Sequence, residues 1–300
     1  MKINKMAIKK QVIPWLLVAP GIILIFLYLA YPIIENIRMS FLNYKLYERD
    51  NIYFNNFENY RQIFKADPNI PKVFKNALIW TGSVVTGQFV FGMILANLLN
   101  RKFKARGLVQ SIVFVPWAVS GFLVGFMFRW IFAQNNGILN YVLMSLGLIE
   151  KNIVWLGDKN LVLIGPIVAQ IWAGIPFFGI MILAALQSVP QEVLESAQVD
   201  GAKSWQRFRF ITFPYIRHTV ITTILLRIIW TFGASDVIYS MTDGGPNYAS
   251  SILTLYSYNQ AFSSMDFGYA AALSNVITII MLCFSLIYLA VTKFSKEVSE

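Results

Sequence analysis

The chain has 300 residues, of which 57% are apolar and only 13% are charged, and its net charge is +10. A typical soluble domain carries about 25% charged residues, so too few charges are present here to cover a water-exposed surface; the mean hydropathy of +0.57 agrees. A single cysteine, Cys283, and a single histidine, His218, exclude an internal disulfide and argue against a structural zinc site and most hydrolases.

Long stretches almost free of Asp, Glu, Lys and Arg predict membrane-spanning helices, because one span needs about 20 mostly apolar residues. We therefore expect an all-α integral membrane protein with one transmembrane domain over residues 1–300 and six spans, with five or seven spans as the alternatives. The predicted spans are approximately 12–34, 76–100, 107–128, 161–189, 218–239 and 267–292.

The first span follows a basic start that contains Lys2, Lys5, Lys9 and Lys10. A secretory signal peptide begins in the same way, but its apolar region is only about 7–15 residues long. The apolar run here is longer and lacks a clear small-residue cleavage site, so we expect a retained helix.

The basic residues are distributed unequally between the two sides of the predicted membrane. Segments on the side of the termini contain 14 Lys or Arg and 5 acids, whereas the opposite side contains 9 and 10. Because basic loops stay in the cytoplasm, we expect both termini there, in a plasma or inner membrane. The positive charge then reports orientation, and no nucleic-acid partner is expected.

The loop at residues 190–215 carries readable helix signals. Ser188 followed by Gln191 fits a capping box, and Pro190 fits a first helical turn. A helix of roughly ten residues should end at Gly201, where a left-handed conformation is needed. A second short helical stretch should follow over 202–210, and Pro214 should restart the chain toward the fifth span. An ordinary amphipathic connector would show the same local features.

Beyond these local signals, Glu195-Ser-Ala197, Gly201 and Ile211-Thr-Phe-Pro214 resemble the EAA motif of ABC importer permeases. Ser196 and Phe213 replace an Ala and a Leu of the family pattern, and the spacing is kept. The resemblance implies that this loop is a coupling helix docking on a separate ATPase subunit. It assigns that role to Glu195, Ala197, Asp200, Gly201, Ala202 and Pro214.

The resemblance extends to the carbohydrate branch of these permeases. Thr242-Asp-Gly244-Gly245-Pro246 is similar to that branch's Thr-Gly-Gly-Gly-Pro signature, and Asp266–Ser274 opens the last span in the same way. The implied fold is that of a type I ABC importer permease. In contrast to the maltose importer's larger permease, we expect no extra N-terminal spans, and only the 35–75 loop stands where that protein has a large outside domain.

The resemblance also implies a set of partners. These are a second homologous permease, an ATPase subunit dimer that binds ATP and Mg²⁺, an extracytoplasmic solute-binding protein, a carbohydrate substrate and the lipid membrane. A Walker A motif requires a Gly-Lys pair, and none occurs in the chain. We therefore expect no catalytic residue, no bound cofactor and no metal site on this chain.

Neutral polar and aromatic residues inside the spans are candidates for the substrate path, because sugars offer hydroxyl groups and apolar C–H faces. The resemblance points to Trp117, Ser120, Gln170, Trp172, Ala173, Gly174, Phe177 and Thr231. Packing is the competing interpretation for each of them. Arg227 and Asp236 are intramembrane charges, which indicate function by default; the alternatives are snorkelling for Arg227 and a position at the outer mouth for Asp236.

Other classes of function remain as alternatives. A secondary transporter would show internal repeats and a paired-acid or proton site, and neither is evident. A membrane enzyme would need a cluster of catalytic residues, which the scarcity of His, Cys and acids disfavours. An ABC permease for amino acids or polyamines is the nearest rival, and the Gly-Gly-Pro segment favours sugar over it.

Overall fold

The computed structural model describes residues 5–292, which are mostly helical. The α-helices are α1 (Lys5–Ile25), α2 (Tyr31–Met39), α3 (Glu58–Arg61), α4 (Ile70–Asn100), α5 (Arg106–Ala118), α6 (Gly121–Ile131), α7 (Ile138–Ser145), α8 (Ile164–Gln187), α9 (Gln191–Val199), α10 (Ser204–Arg207), α11 (Phe213–Gly233), α12 (Asp236–Thr242), α13 (Leu253–Phe262) and α14 (Phe267–Val291). Strands β1 (Leu42–Asn43) and β2 (Tyr53–Phe54) form an antiparallel pair.

Five of the described helical segments are long and apolar enough to cross a membrane. They are Leu17–Met39, Ile70–Asn100, Ile164–Gln187, Ser204–Thr242 and Phe267–Val291. Each overlaps one of the predicted spans. A sixth span is obtained only if the bent pair α5 and α6 is counted as one.

The predicted third span is not one straight helix. α5 ends at Ala118 and α6 begins at Gly121, and the two meet at an angle of 93°. Val119 and Ser120 between them have extended backbone, with ψ of 134° and 139°. Pro116 in the last turn of α5 cannot donate a backbone hydrogen bond, and Val, Ser and Gly after it are poorer helix formers than Ala or Leu. The sequence therefore permits a break that a count of apolar residues does not reveal.

The described chain divides into two compact units, of which one contains the residues up to Asp67 together with Ser257–Thr278. In this unit the side chain of Asn59 donates to the carbonyls of Ser40 and Leu42, at 2.9 and 3.0 Å. Gly268 lies so close to the Leu42 carbonyl that a Cβ there would overlap it. The Asn59 bonds attach α3 to the chain at β1, and the Gly268 contact places β1 against the start of α14.

The second unit contains Pro68–Tyr256 and the residues from Ile279 onward. Its core lies among α4, α8 and α11. The buried side chains include Val85, Ala96, Leu99, Phe178, Ile182, Leu186, Ile216 and Val220. Gly92 allows α4 to approach α8 closely, because a Cβ there would overlap the Phe178 side chain. The close approach places the middle of α4 against the candidate path residues on α8.

Within the same unit, α6 packs against α12 through a stripe of small residues. A Cβ at Gly121 would overlap the Asp236 carboxylate, and one at Gly125 would overlap the Ser240 hydroxyl. Glycines four residues apart lie on one face of a helix and let two backbones come close. The break before Gly121 and the break between α11 and α12 therefore lie beside each other.

Candidate functional site

The loop between α8 and α11 contains a nine-residue helix, α9, that a glycine terminates. Gly201 has a φ of +78°. Its N–H donates to the Gln198 carbonyl at 3.1 Å, and the Ala202 N–H donates to the Ala197 carbonyl at 3.0 Å. These two bonds form a Schellman motif, in which the residue after the cap must be left-handed. The predicted helix end is confirmed, and the spacing from Ala197 to Gly201 is the spacing that this motif requires.

The start of α9 differs from the prediction. Pro190 occupies the N-cap position and no side-chain cap bond is present there. The Ser188 hydroxyl instead donates to the Ala185 carbonyl at 2.8 Å. Ser188 still has helical backbone angles at the end of α8, so its side chain bonds back to its own helix. The predicted capping box between Ser188 and Gln191 was therefore wrong.

A short helix, α10, follows and is tied back to α9. The guanidinium of Arg207 donates to the Gln198 side chain at 2.8 Å. A π-helical turn over Phe208–Thr212 then leads directly into α11. Pro214 lies in the first turn of α11, where a missing N–H costs nothing. The chain thus continues as a helix through this region, and the expected restart at Pro214 does not occur.

The surface of this loop combines polar and apolar groups. Glu195, Asp200, Gly201 and Pro214 are exposed, whereas Ala197 and Ala202 are half-buried. Three apolar side chains also stand out from the loop, and their exposed fractions are 88% for Val199, 66% for Trp205 and 69% for Phe210. A cavity of about 300 Å³ separates the loop from Asn97 and Asn100 at the end of α4.

Two candidate path residues, Trp117 and Phe177, contact Trp230 and Arg227 in a group of four side chains that we call the Phe177 cluster. The Phe177 ring lies 6.2 Å from the Trp117 ring and 5.3 Å from the Trp230 ring, measured between centroids. The guanidinium of Arg227 lies 5.6 Å from the Phe177 centroid. Trp117 and Trp230 are about half exposed, with fractions of 51% and 49%. The cluster joins α5, α8 and α11.

Arg227 reaches this cluster from α11 and is 8% exposed, so it does not snorkel. Its Nε donates to Oε1 of Gln88 on α4 at 2.5 Å, and the Gln88 amide donates to the Gln170 carbonyl at 2.6 Å. Gly174 makes room for both side chains, because a Cβ there would overlap each of them. Gln88 and Trp230 were missed by the sequence analysis; Gln88 could have been noticed as a lone amide within an apolar stretch.

The remaining candidate path residues do not all join this cluster. Trp172 packs on Phe128, with ring centroids 5.6 Å apart. Thr231 is 1% exposed, and its carbonyl accepts a bond from the Trp80 indole at 3.0 Å. Ala173 is half-buried beside Gly174, and Ser120 is exposed in the break between α5 and α6. The Trp172 contact and the burial of Thr231 fit packing roles.

The loop that carries Gly244, Gly245 and Pro246 is fixed to α4 by the side chains of Lys72, whose Nζ donates to the Asn247 carbonyl at 2.6 Å, and of Asn76. Asn76 is buried and donates to the carbonyls of Tyr248, Ala249 and Ser251 at 3.0–3.1 Å. Gly244 has a φ of +79°, so it occupies a backbone conformation that favours glycine. The role of Asn76 was not foreseen, since a single amide near the start of a span gives no local signal.

Within residues 5–292, no group of three or more His, Cys, Asp or Glu side chains is placed to hold a metal ion. The absence of a metal site and of a bound cofactor remains a prediction for the chain as a whole.

The long apolar helices and the exposed helical loop define a multi-pass membrane protein. The chain belongs to the family described as binding-protein-dependent transport system inner membrane components, whose model matches residues 88–296.

The sulfoquinovosyl glycerol transport system permease protein of Agrobacterium fabrum is 32% identical over 278 residues, which cover 93% of this chain and 89% of that protein. The trehalose/maltose transport system permease protein of Thermococcus litoralis is 31% identical over 238 residues, which cover 76% and 80%. A similar fold is found in the crystal structure of a bacterial alginate ABC transporter in complex with a periplasmic protein that binds an alginate pentasaccharide. One chain of that structure matches this chain with a TM-score of 0.82 and 23% sequence identity, and the match covers 95% of each chain. The chain therefore has the type I ABC importer permease fold.

Proposed function

We propose that this chain is the permease subunit of an ATP-driven importer for a saccharide, and that the 190–215 loop couples it to a separate ATPase. The observation that carries the coupling assignment is the Schellman motif at Gly201. It gives a physical reason for the EAA spacing in this chain. A helix so terminated has a fixed length and a fixed exit direction, which a rigid connector between two subunits requires.

The exposed surface of the loop supports docking on another protein. Val199, Trp205 and Phe210 expose large apolar area next to Glu195 and Gly201. An apolar patch with a polar rim is typical of an interaction site. Closure of the ATPase dimer around ATP and Mg²⁺ would move this loop, and helices packed as tightly as α4 and α8 would transmit the movement as rigid bodies.

A saccharide substrate is supported by two observations. The relatives named above are permeases for a sulfoquinovosyl glycerol and for trehalose and maltose. The Phe177 cluster offers half-exposed aromatic rings next to hydrogen-bond donors, and such rings stack on the C–H faces of sugars. An amino acid or polyamine permease is the rival, and the substrate accepted in uptake assays separates the two.

The assembly that we propose contains this chain, a second homologous permease, an ATPase dimer and an extracytoplasmic binding protein. A periplasmic protein accompanies the related alginate transporter. Both termini lie in the cytoplasm, in agreement with the excess of basic residues on their side. No ATPase site is expected on this chain itself, because the sequence contains no Gly-Lys pair.

The coupling assignment is tested by Gly201→Asp and Glu195→Lys in the source cells, with a tag on this chain. We expect saccharide uptake to be abolished and the amount of copurifying ATPase subunit to fall at least tenfold, while the permease remains in the membrane. Any aspartate at position 201 is strained, because φ is +78° there.

Gly147→Asp is the matched control. Gly147 also has positive φ and open space around it, but it lies in the loop after α7, outside the proposed docking surface. Normal uptake and normal ATPase recovery with Gly201→Asp and Glu195→Lys would overturn the coupling assignment. If Gly147→Asp also loses saccharide uptake and ATPase recovery, the effect of Gly201→Asp is explained by backbone strain alone.

A further inference from the structure

Arg227 is a buried cation whose hydrogen-bond partner is neutral. Its Nε donates to the amide oxygen of Gln88. Within the described residues, no carboxylate lies within ion-pair distance of Arg227. Asp236, the acid nine residues further along the chain, lies outside ion-pair distance.

A charge in this position is costly unless something compensates it. Arg227 is 8% exposed and lies between Leu226 and Ile228 in α11, and a guanidinium removed from water loses several kcal/mol of hydration energy. The partial negative charge of the Gln88 oxygen and the face of the Phe177 ring compensate only in part. The guanidinium has five N–H donors, and within the described residues only Nε has an acceptor.

The surroundings of Arg227 match a sugar that carries an acid. The Phe177 cluster presents aromatic rings from α5, α8 and α11 at one point. Rings of this kind hold the apolar face of a sugar, and a guanidinium binds a carboxylate or sulfonate with two parallel hydrogen bonds. Neither feature alone specifies a ligand, but the combination distinguishes an acidic saccharide from a neutral one.

We propose that Arg227 makes the transport path selective for a saccharide bearing a carboxylate or sulfonate group. This inference rests on the proposed function, since it assumes that the Phe177 cluster lines the path. The acidic group replaces Gln88 as the main acceptor for the guanidinium, while Trp117 or Trp230 stacks on the sugar ring. Gln88 holds the guanidinium in place when no substrate is present.

The test uses the importer purified through a tag on this chain and reconstituted in nanodiscs without its binding protein. Equilibrium dialysis measures the affinity for radiolabelled trigalacturonate and for maltotriose, two trisaccharides that differ in charge. We expect trigalacturonate to bind at least tenfold more tightly. Arg227→Gln should remove this preference, and Arg227→Lys should retain part of it. Arg129→Gln, which changes an exposed arginine at the end of α6, should leave it unchanged.

Equal binding of the two trisaccharides by the unchanged importer, or tighter binding of maltotriose, overturns the inference but leaves the saccharide permease intact. Binding of neither overturns the inference as well, and the uptake assay of the coupling variants then decides whether the proposed function fails with it. A tenfold preference that persists in Arg227→Gln also overturns it. If Arg227→Gln does not purify as a monodisperse protein, Arg227→Lys is compared with Arg129→Gln. The inference requires a weaker preference for trigalacturonate in Arg227→Lys and an unchanged preference in Arg129→Gln, and any other result overturns it.

Discussion

The 190–215 loop and the Phe177 cluster are built in different ways. In the loop, the arrangement comes from backbone hydrogen bonds between residues three to five positions apart, and Gly201 ends the helix that they form. In the Phe177 cluster, side chains from α5, α8 and α11 converge, and Gln88 of α4 bonds Arg227 from a position 139 residues earlier in the sequence. One region is specified locally, and the other depends on helix packing.

This difference determines how each region should respond to substitution. A local motif fails only where its own backbone requirement is violated, and its surface side chains can be exchanged at little cost in stability. A convergent cluster depends on every helix that contributes to it, because interiors are close-packed and a change of even one methylene is felt.

The largest expected effect is that of Gly174→Val in α8. The new side chain would overlap the Gln88 amide and the Arg227 guanidinium, so α4 and α11 must shift or the two polar groups must separate. Overpacking of this kind costs about 1–3 kcal/mol, and more where polar groups are displaced. We expect loss of uptake together with a lower Tm of the purified protein.

Gly82→Val in α4 is the control for this substitution. It places the same side chain in a membrane helix, but nothing lies within 4 Å of a Cβ at Gly82. We expect its Tm and its uptake to stay close to those of the unchanged protein. Equal losses of Tm and uptake in Gly174→Val and Gly82→Val would mean that the site at Gly174 tolerates a larger side chain as well as an open helix face does.

An intermediate effect is expected for Asn76→Leu. Asn76 is buried and satisfies three carbonyls of the loop that follows α12. A buried polar group left without a partner costs about 1–3 kcal/mol, so the segment 243–251 should open and be cleaved faster in limited proteolysis. Asn97→Leu is the matched control, because Asn97 makes a single bond to the Met93 carbonyl of its own helix. Similar cleavage rates for both variants would contradict the anchoring role of Asn76.

The sequence was sufficient for the features that depend on local composition. Apolar runs with almost no charges located the five long helices, and Gly201 located the end of α9. The sequence was insufficient at the break between α5 and α6, since an apolar run reports hydrophobicity and not helix continuity. The prediction at Pro214 was also wrong. A proline is compatible with the first turn of a helix, but its presence does not show whether the turn before it is already helical, as Phe208–Thr212 is.

The candidate site was predictable to the extent that it is local. The helix end in the 190–215 loop was predicted because Gly201 is visible in the chain, whereas the coupling role of this loop rests on the resemblance and stays a proposal. Phe177 and Gly174 were named, but their partners Gln88 and Trp230 were not, because their proximity results from the packing of α4, α8 and α11. Arg227 was recognised as unusual, and its burial against Gln88 could be established only from the folded arrangement.

The smallest expected effect is that of Arg207→Ala, which removes the side-chain bond between α10 and α9. That bond is exposed, with the guanidinium 2.8 Å from the Gln198 oxygen, and exposed interactions of charged side chains contribute about 0–1 kcal/mol. If the backbone alone fixes the loop, the Ala202 amide should keep its slow hydrogen exchange in Arg207→Ala and lose it in Gly201→Asp. Arg209→Ala, a neighbouring change without this bond, controls for the loss of charge. Fast exchange of Ala202 in Arg207→Ala would show that the loop is also held by converging side chains, and the distinction between the two regions would then not hold.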